Sequence, residues 1–414
     1  MDNLERAELL INQKRYDMAD EHLNKVLAEA PNHPLATAYK ALIKLQTKQS
    51  KEALTFAQAA LGLDPESDFA LYIMAAAYID LNDLKNAERS IVQAISFQPY
   101  HADYYGVHAN IKLITKDYRE AKKIAQRGLE VDPENLLCRN ILSTAWLKLG
   151  SKTESFNTIE KALEMDPNNP MTHANYGWGE LEKGSHKKAL EHFKEALSQN
   201  PENEYARAGM LEALKAKFFL YRIFLKYYFW MGNLKPGVQW GVIIAIVLIQ
   251  KALSSGAEQF GNLAFILEPL TYLLILFAVS TWVVHPIFNF FMSVNSYAKY
   301  LLTPEDKRTS YGVGACFTLF AISAVGWLIT QSDGFLAGAL VGFTLILPVG
   351  RILASRTTWV RIVTALYSLI TAMFGTMLIL GAFIEDYGIG NGFLYPYIIC
   401  IVAFSWVWNF IGNR

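Results

Sequence analysis

Few side chains suited to catalysis or metal binding lie close enough together in this sequence to act as a group. Seven histidines are scattered along residues 1–206: His22, His33, His101, His108, His173, His186 and His192. His285 is the only histidine in residues 207–414. A protease needs a nucleophile with a general base, or several metal ligands, at one place. The chain also lacks a phosphate loop and a dinucleotide-binding fingerprint. We therefore predict a protein that is not an enzyme and that holds no metal or cofactor.

Glu268 is the one acid within a stretch that is apolar enough to cross a membrane, and Pro269 follows it directly. A charge at membrane depth is costly, so an acid there can indicate a transport or proton-transfer role. Glu268 lies near the outer end of its stretch, however, where it can reach water, and Pro269 bends a helix. A structural role is the favoured interpretation, and the transport role stays open.

A 34-residue repeat organises residues 1–206. Prolines recur at this spacing, at Pro31, Pro65, Pro99, Pro133, Pro167 and Pro201. Two columns of small residues keep the same register: Ala7, Ala41, Ala75, Ala109, Ser143, Gly177; and Ala19, Ala53, Ala87, Ala121, Ser155, Ala189. A unit of this length is too short for a domain but fits a helical hairpin that stacks on its neighbours. Small side chains fit where two helices cross closely. The pattern predicts six hairpins of two helices each.

These columns resemble the tetratricopeptide repeat (TPR) family. Tyr16 and Tyr118 match the turn tyrosine of that family, and Gly150 and Gly184 match its turn glycine. The resemblance implies that the first helices line a groove for a protein or peptide partner. It places in this groove Tyr72, Ala76, Gly106, Asn110, Asn140, Thr144 and Lys148. The chaperone-tail clamp of some members is disfavoured, because only Asn110 matches its residues. The alternative is a groove that is solvated or covered by the other half of the chain.

The C-terminal half has the composition of a membrane protein. Six apolar stretches are predicted to cross a membrane, at 237–254, 263–284, 311–329, 335–350, 360–384 and 393–411. The first and fourth are short and could be re-entrant, which would reduce the number of spans to as few as four. Gly334, Gly338 and Gly342 form a stripe that favours close packing within the bundle. Homo-oligomerisation through this stripe is the alternative.

Basic residues are unevenly distributed around these stretches. Six precede the first one: Arg207, Lys215, Lys217, Arg222, Lys226 and Lys235. Later groups are Lys299, Lys307, Arg308; Arg351, Arg356, Arg361; and Arg414, whereas 330–334 and 385–392 contain none. Because basic residues favour the cytoplasmic side, this alternation predicts both termini inside and three outside loops.

A helix over 202–217 is predicted to follow the last repeat, and an aromatic helix over 218–232 joins the two halves. If helical rotation is continuous, Lys215, Arg222 and Lys226 fall on one face. We predict that these cations meet lipid phosphates at the membrane surface. The alternative is a helix that packs wholly on protein.

The fold class predicted from the sequence is all-α: a solenoid of six repeats over 1–206, a capping and interfacial region over 207–236, and a transmembrane bundle over 237–414. Repeat sequence begins near Met1 without a signal peptide, and Cys138, Cys316 and Cys400 lack metal-ligand spacing. We expect a cytoplasmic repeat domain on a plasma or inner membrane. Neither half has a basic stripe with interleaved aromatics, so we predict no nucleic-acid partner. The predicted function is a membrane-anchored scaffold that recruits a protein partner. A small transporter regulated by the repeats is the alternative.

Overall fold

The repeat register produces pairs of helices over residues 3–199. The computed structural model describes residues 2–259, 261–353, 357–384 and 392–411, and every regular element in these ranges is helical. The first twelve helices are α1 Asn3–Asn12, α2 Tyr16–Glu29, α3 Pro34–Gln46, α4 Ser50–Leu63, α5 Asp68–Asp80, α6 Leu84–Phe97, α7 Ala102–Ile114, α8 Tyr118–Val131, α9 Leu136–Lys148, α10 Lys152–Met165, α11 Pro170–Lys183 and α12 His186–Gln199. The prediction of six two-helix units is confirmed.

Each unit turns between its two helices through one residue in the left-handed conformation. These residues are 34 positions apart: Lys14, Lys48, Asn82, Lys116, Gly150 and Gly184. Their φ angles range from 59° at Lys14 to 98° at Gly184. Glycine adopts this conformation without a steric cost. In lysine the Cβ atom comes too close to the following carbonyl oxygen. The turn geometry is therefore retained even where the sequence lacks glycine.

The two columns of small residues lie in the interior, as predicted. Every alanine of both columns is fully buried. Where serine replaces alanine, Ser143 Oγ donates a 2.9 Å hydrogen bond to the carbonyl oxygen of Ser155, so the two columns also meet in the fifth unit. A Cβ added at Gly177 would lie 2.7 Å from the Phe193 ring. Small residues are needed because no larger side chain fits these crossings.

Eight further α-helices follow the repeats within the described residues. They are α13 Glu204–Lys215, α14 Phe219–Asn233, α15 Pro236–Gln259, α16 Ala264–Val294, α17 Pro304–Thr330, α18 Asp333–Val349, α19 Thr358–Phe383 and α20 Leu394–Ile411. Four of them, α15, α16, α17 and α19, are long and apolar enough to cross a membrane, judged by length and composition. The helix that contains the predicted first span, α15, continues beyond residue 254 to Gln259 and has 24 residues. The fourth, α18, has 17 residues and is short as predicted.

The chain divides into two compact units. The first comprises 1–183 and 191–203, and the second comprises 184–190 and 204–414. Residues 184–190, α13 and α14 therefore belong to the same unit as the long apolar helices. Arg356, Arg414 and most of the loop 385–392, on which the topology prediction partly depends, lie outside the described residues.

The sequence Thr303-Pro304-Glu305-Asp306 predicts a helix start, with Thr303 as the N-cap, Pro304 at the first position and acids in the first turn, and α17 begins there. The side chain of Thr303 caps the helix, accepting a hydrogen bond of 3.1 Å from the backbone N–H of Asp306. Pro304 occupies the first helical position, as predicted. Upstream, α16 continues through Pro286 to Val294, so residues 286–294, which lie between the predicted second and third spans, are helical.

The glycine stripe of α18 packs against helices of the same chain. A Cβ added at Gly342 would lie 2.5 Å from the backbone nitrogen of Phe320 in α17, and one at Gly338 would lie 2.5 Å from Ser323 Oγ. Gly334 abuts the Phe383 ring in α19. The favoured prediction of close packing within the bundle is confirmed.

Candidate functional site

The groove residues predicted from the TPR resemblance lie on α5, α7 and α9, the first helices of the third, fourth and fifth units. Five of them are partly exposed: Tyr72, Ala76, Asn110, Thr144 and Lys148. These five remain candidates for contact with a partner, because at least part of each residue is accessible to solvent.

Gly106 and Asn140 are buried, so the prediction that they line an open groove is wrong. A Cβ added at Gly106 would lie 2.6 Å from Leu137 Cδ2, which shows how closely α7 and α9 pack. Asn140 Nδ2 donates a 3.0 Å hydrogen bond to Thr172 Oγ1. Both residues serve contacts between neighbouring units, because helices that stack this closely cover the positions that face the next unit.

Lys148 is held by an ion pair. Its Nζ lies 2.6 Å from Glu182 Oε2, and both side chains are mostly buried. The charge of this lysine is therefore neutralised within the repeat segment, and a partner that contacts it also meets the Glu182 carboxylate. This pairing lowers the attraction of Lys148 for an acidic peptide.

Tyr72 is the half-buried anchor of an aromatic stack. Its ring stacks on Tyr104 with a centroid distance of 5.4 Å, and Tyr104 stacks on His101 at 4.2 Å. Tyr104 Oη donates a 2.6 Å hydrogen bond to Asp68 Oδ2. Burial raises the pKa of the Tyr104 phenol, and the Asp68 carboxylate raises it further, so it stays protonated and donating. Burial, followed by the Asp103 charge, also raises the pKa of Tyr72.

The sequence contained a signal for Tyr104 that the groove prediction did not use. The second, third, fifth and sixth units carry small residues at the same register, Ala36, Ala70, Cys138 and Thr172, and so does α13 at Ala206. A tyrosine in a column of small residues must displace a neighbour or find space of its own. In the structure it occupies the space beside Tyr72 and fixes the orientation of that ring.

A buried ionic cluster lies in the second compact unit, which comprises 184–190 and 204–414. Lys215 is 0% exposed, and its Nζ lies 2.7 Å from Glu212 Oε1. Tyr221 Oη donates to the other oxygen of the same carboxylate. His285 Nε2 lies 3.3 Å from Lys215 Nζ and 3.5 Å from Glu212 Oε1. Because an ammonium group can only donate, His285 Nε2 accepts the hydrogen bond from Lys215.

This cluster corrects one prediction. Lys215 cannot reach a membrane surface, because its side chain is fully buried. The error arose from treating 202–232 as one helix, whereas α13 ends at Lys215 and α14 begins at Phe219. Burial alone would raise the pKa of Glu212, but the neighbouring charge of Lys215 is the main cause that lowers it, to about 2.

Arg222 is partly exposed and Lys226 is exposed. The Arg222 guanidinium lies 5.8 Å from the centre of the Phe219 ring. Their contact with lipid stays a prediction.

Glu268 lies in the second turn of α16, and its side chain is exposed on the surface of the unit. An acid that serves transport is expected to face the interior of a bundle or a water-filled cavity. The position of Glu268 provides neither within the part of the chain that the structure describes.

A cavity of about 510 Å³ opens in the second unit between α13, the start of α17 and the start of α19. Two arginines line it, Arg207 and Arg361, together with three acids, Glu204, Glu305 and Asp306. Because these charges nearly balance, the lining does not select an anion or a cation. No group of three or more His, Cys, Asp or Glu side chains among the described residues is arranged to hold a metal ion.

Two family models match the repeats. Residues 12–94 match the family described as Anaphase-promoting complex, cyclosome, subunit 3, and residues 102–135 match the tetratricopeptide repeat. The N-terminal part of the chain is therefore a tetratricopeptide repeat segment, and repeats of this family are protein-interaction scaffolds. No family is matched for the C-terminal part.

Several solved structures are similar to the repeat segment. YrrB, described as a TPR protein with an unusual peptide-binding site, is 20% identical; the match covers 44% of this chain and 95% of that chain, with a TM-score of 0.32. MamA residues 41-end from Desulfovibrio magneticus RS-1 are 19% identical over 41% of this chain and 96% of that chain, with a TM-score of 0.34. Pseudomonas aeruginosa pilF is 12% identical over 50% and 94%, with a TM-score of 0.41.

Proposed function

We propose that this chain is a membrane-anchored scaffold whose repeat segment recruits a protein partner to the cytoplasmic face of a plasma or inner membrane. The proposal joins two properties of one chain: a repeat segment of a protein-binding family and a second unit rich in long apolar helices. In this proposal the C-terminal helices anchor the protein and the repeats bind the partner, with no catalytic step.

The observation that carries the anchoring is the apolar exterior of the long helices. Leu273 in α16 is 63% exposed and Ile329 in α17 is 77% exposed, and Leu248 and Leu366 are more than half exposed on α15 and α19. Side chains of this kind, repeated along helices of 24 to 31 residues, are unfavourable in water and favourable in a lipid bilayer. The second unit therefore has the exterior expected of an integral membrane domain.

The partner contact is assigned to the surface around Tyr72 and Asn110. Tyr72 supplies aromatic area, and its stacking on Tyr104 restricts its motion, which lowers the entropy lost on binding. The Asn110 side chain can pair with a backbone amide of a bound segment. A protein or peptide that presents an extended backbone and an apolar side chain fits this surface.

The orientation follows from the basic residues, and it can be tested separately from recruitment. A cysteine introduced at Asp333, the first residue of α18 in the segment 330–334 that lacks basic residues, should react with an impermeant reagent in intact cells. A cysteine at Lys307 should react only after lysis. Reaction at Asp333 only after lysis would contradict the proposed topology, whereas extraction of the whole chain by alkaline carbonate would contradict the anchoring itself.

Recruitment is tested by flotation of native membranes. Membranes with the wild-type chain should carry the bound partner to the lipid fraction, and membranes with Tyr72→Ala should not, at equal amounts of inserted chain. The transporter alternative depends on Glu268, and the exposed position of that side chain gives it no support, so we do not propose it.

A further inference from the structure

Five cations gather on one side of the second unit, although they come from two separate segments of the chain. Lys187 and Lys188 lie in the first turn of α12. Lys217 lies between α13 and α14, and Arg222 and Lys226 lie on α14. We call these five the basic patch. All five belong to the compact unit that contains 184–190 and 204–414.

Contacts between the two segments bring the patch together. A Cβ added at Gly184, two residues before α12, would lie 4.0 Å from Lys226 Cε. His186 of α12 lies close enough to cations of both segments for their charges to affect it. Burial lowers the pKa of its imidazole, and the charges of Arg222, Lys187 and Lys217 lower it further. The patch is therefore a tertiary feature rather than a run of basic residues in the sequence.

No acid lies within the segments that form the patch. Residues 184–190 and 213–235 contain neither Asp nor Glu. Four of the five cations are exposed, and Arg222 is partly exposed. Within the described residues, none of the five forms an ion pair with a carboxylate. Uncompensated charge of one sign at this density attracts an anionic partner.

Exposed apolar side chains adjoin the patch on α14. Phe219 is 69% exposed, and Leu220, Ile223 and Trp230 are each more than 40% exposed. The opposite side of α14 is buried through Tyr221, Phe224 and Leu225. A helix whose free face combines cations with aromatic and aliphatic side chains has the composition of one that lies in a bilayer interface.

We propose that the basic patch binds the phosphate groups of anionic phospholipids, while the apolar side chains beside it enter the adjoining acyl region. The inference rests on the proposed membrane anchoring and adds the class of lipid and the residues that select it. Arg222 can pair with two phosphate oxygens at once, and the lysines add point charges. The occupant is a lipid because the patch adjoins exposed apolar side chains and is followed directly by α15.

The test uses the full-length chain, released from nanodiscs that contain equal amounts of phosphatidylglycerol and phosphatidylcholine. Native mass spectrometry counts the lipids of each class that remain bound. The patch variant is Lys187→Gln/Lys217→Gln/Arg222→Gln/Lys226→Gln. A matched control removes four exposed cations from the repeats of the first compact unit. It is Lys25→Gln/Lys51→Gln/Arg119→Gln/Lys161→Gln.

The wild type and the control should retain phosphatidylglycerol preferentially. One cation near an anionic surface changes affinity roughly fivefold, so the patch variant should lose at least about tenfold in this preference. Raising the salt concentration should weaken the wild-type preference. Equal retention of the two lipids by the wild type, or an unchanged preference in the patch variant, would overturn the proposal.

Two further measurements separate the causes of failure. If alkaline carbonate releases the wild-type chain from membranes, the membrane anchoring is wrong and this inference falls with it. If the chain stays inserted but shows no lipid preference, only this inference is wrong. Displacement of phosphatidylglycerol by millimolar inorganic phosphate would show that the patch recognises free phosphate, which also overturns the assignment to lipid.

Discussion

Lys215 Nζ and Glu212 Oε1 lie 2.7 Å apart, one turn apart on α13, with the lysine fully enclosed. A buried ammonium group is costly unless charge and hydrogen bonds compensate for it. Here the Glu212 carboxylate supplies the charge, and His285 of α16 accepts another hydrogen bond. The pair therefore links α13 to α16, which is the second of the four helices that are long and apolar enough to cross a membrane.

We expect Lys215→Met to destabilise the second compact unit strongly, because it leaves the Glu212 carboxylate without its main partner. Loss of one member of a buried pair costs about 3–5 kcal/mol. The double variant Lys215→Met/Glu212→Leu should recover much of this loss, because both charges are then absent. Thermal unfolding of the full chain in detergent measures the effect.

Lys226→Met is the matched control for this cycle, because Lys226 is exposed and its removal should change stability by less than about 0.5 kcal/mol. A double variant that is no more stable than Lys215→Met would contradict the account of the pair. So would a loss in the control equal to that in Lys215→Met.

The same carboxylate predicts a dependence of stability on acid. The pKa of Glu212 is about 2 in the folded protein and 4.5 for the free group, so the folded state favours the charged form. Its contribution is fully present above pH 4.5 and is lost as the pH falls from 4.5 towards 2. The shift corresponds to about 3 kcal/mol.

Glu212→Gln should be less stable than the wild type at pH 7 and should lose less stability on acidification. Unfolding midpoints of the full chain at pH 7, 5, 4 and 3 measure this difference. Glu29→Gln, a change of an exposed acid, should keep the wild-type profile. Parallel profiles for the wild type and Glu212→Gln would exclude Glu212 as the group responsible.

The sequence was sufficient for features that depend on neighbouring residues. The 34-residue columns predicted the helical pairs, Thr303 and Pro304 predicted the start of α17, and the α18 glycines predicted a close crossing. Each of these depends on backbone geometry within one element or on a repeated contact. Hydrogen bonding and steric fit at these positions vary little with the rest of the fold.

Contacts between distant residues could not be predicted in this way. Lys215 and His285 are 70 positions apart, and no periodicity links them. Helical rotation assigned Lys215 to the face of Arg222, but the break between α13 and α14 cancels that angle. Tyr104 and Asp68 meet because neighbouring units stack, and the partner of a side chain across a stack depends on the shapes of both helices.

The left-handed turn residues predict a stabilising substitution. Lys14 has φ of 59°, which is unfavourable for a residue with a Cβ. Lys14→Gly should stabilise the first repeat hairpin, α1 and α2, by about 0.5–1 kcal/mol. The relief of backbone strain should exceed the entropy cost of the more flexible unfolded chain. Gly150→Ala, at φ of 86°, should destabilise the fifth unit by about 1 kcal/mol or more.

Hydrogen exchange of the full chain locates both effects. Protection should change first in the unit that carries the substitution and in its neighbours, because a repeat array is coupled between adjacent units. A stabilising Gly150→Ala would contradict the strain argument, as would a Lys14→Gly variant that loses protection.

The final prediction concerns recruitment, and it compares two tyrosines in different settings. Tyr72 is half buried and stacked on Tyr104, whereas Tyr100 is 83% exposed between α6 and α7. If Tyr72 anchors the partner, Tyr72→Ala should weaken binding by about 2 kcal/mol, roughly thirtyfold in Kd. Asn110→Ala should also weaken binding, through loss of a hydrogen bond to the backbone of the partner.

Tyr100→Ala is the control, because it makes the same chemical change as Tyr72→Ala, and it should leave Kd within about twofold. Glu268→Gln should leave recruitment unchanged, since the proposed function gives this side chain no part in partner binding. The measurement is a titration of the captured partner against the full chain in nanodiscs, with helicity checked for each variant. If Tyr72→Ala and Tyr100→Ala bind alike, or if Glu268→Gln alone reproduces the phenotype of the deleted gene, the recruitment surface is assigned wrongly.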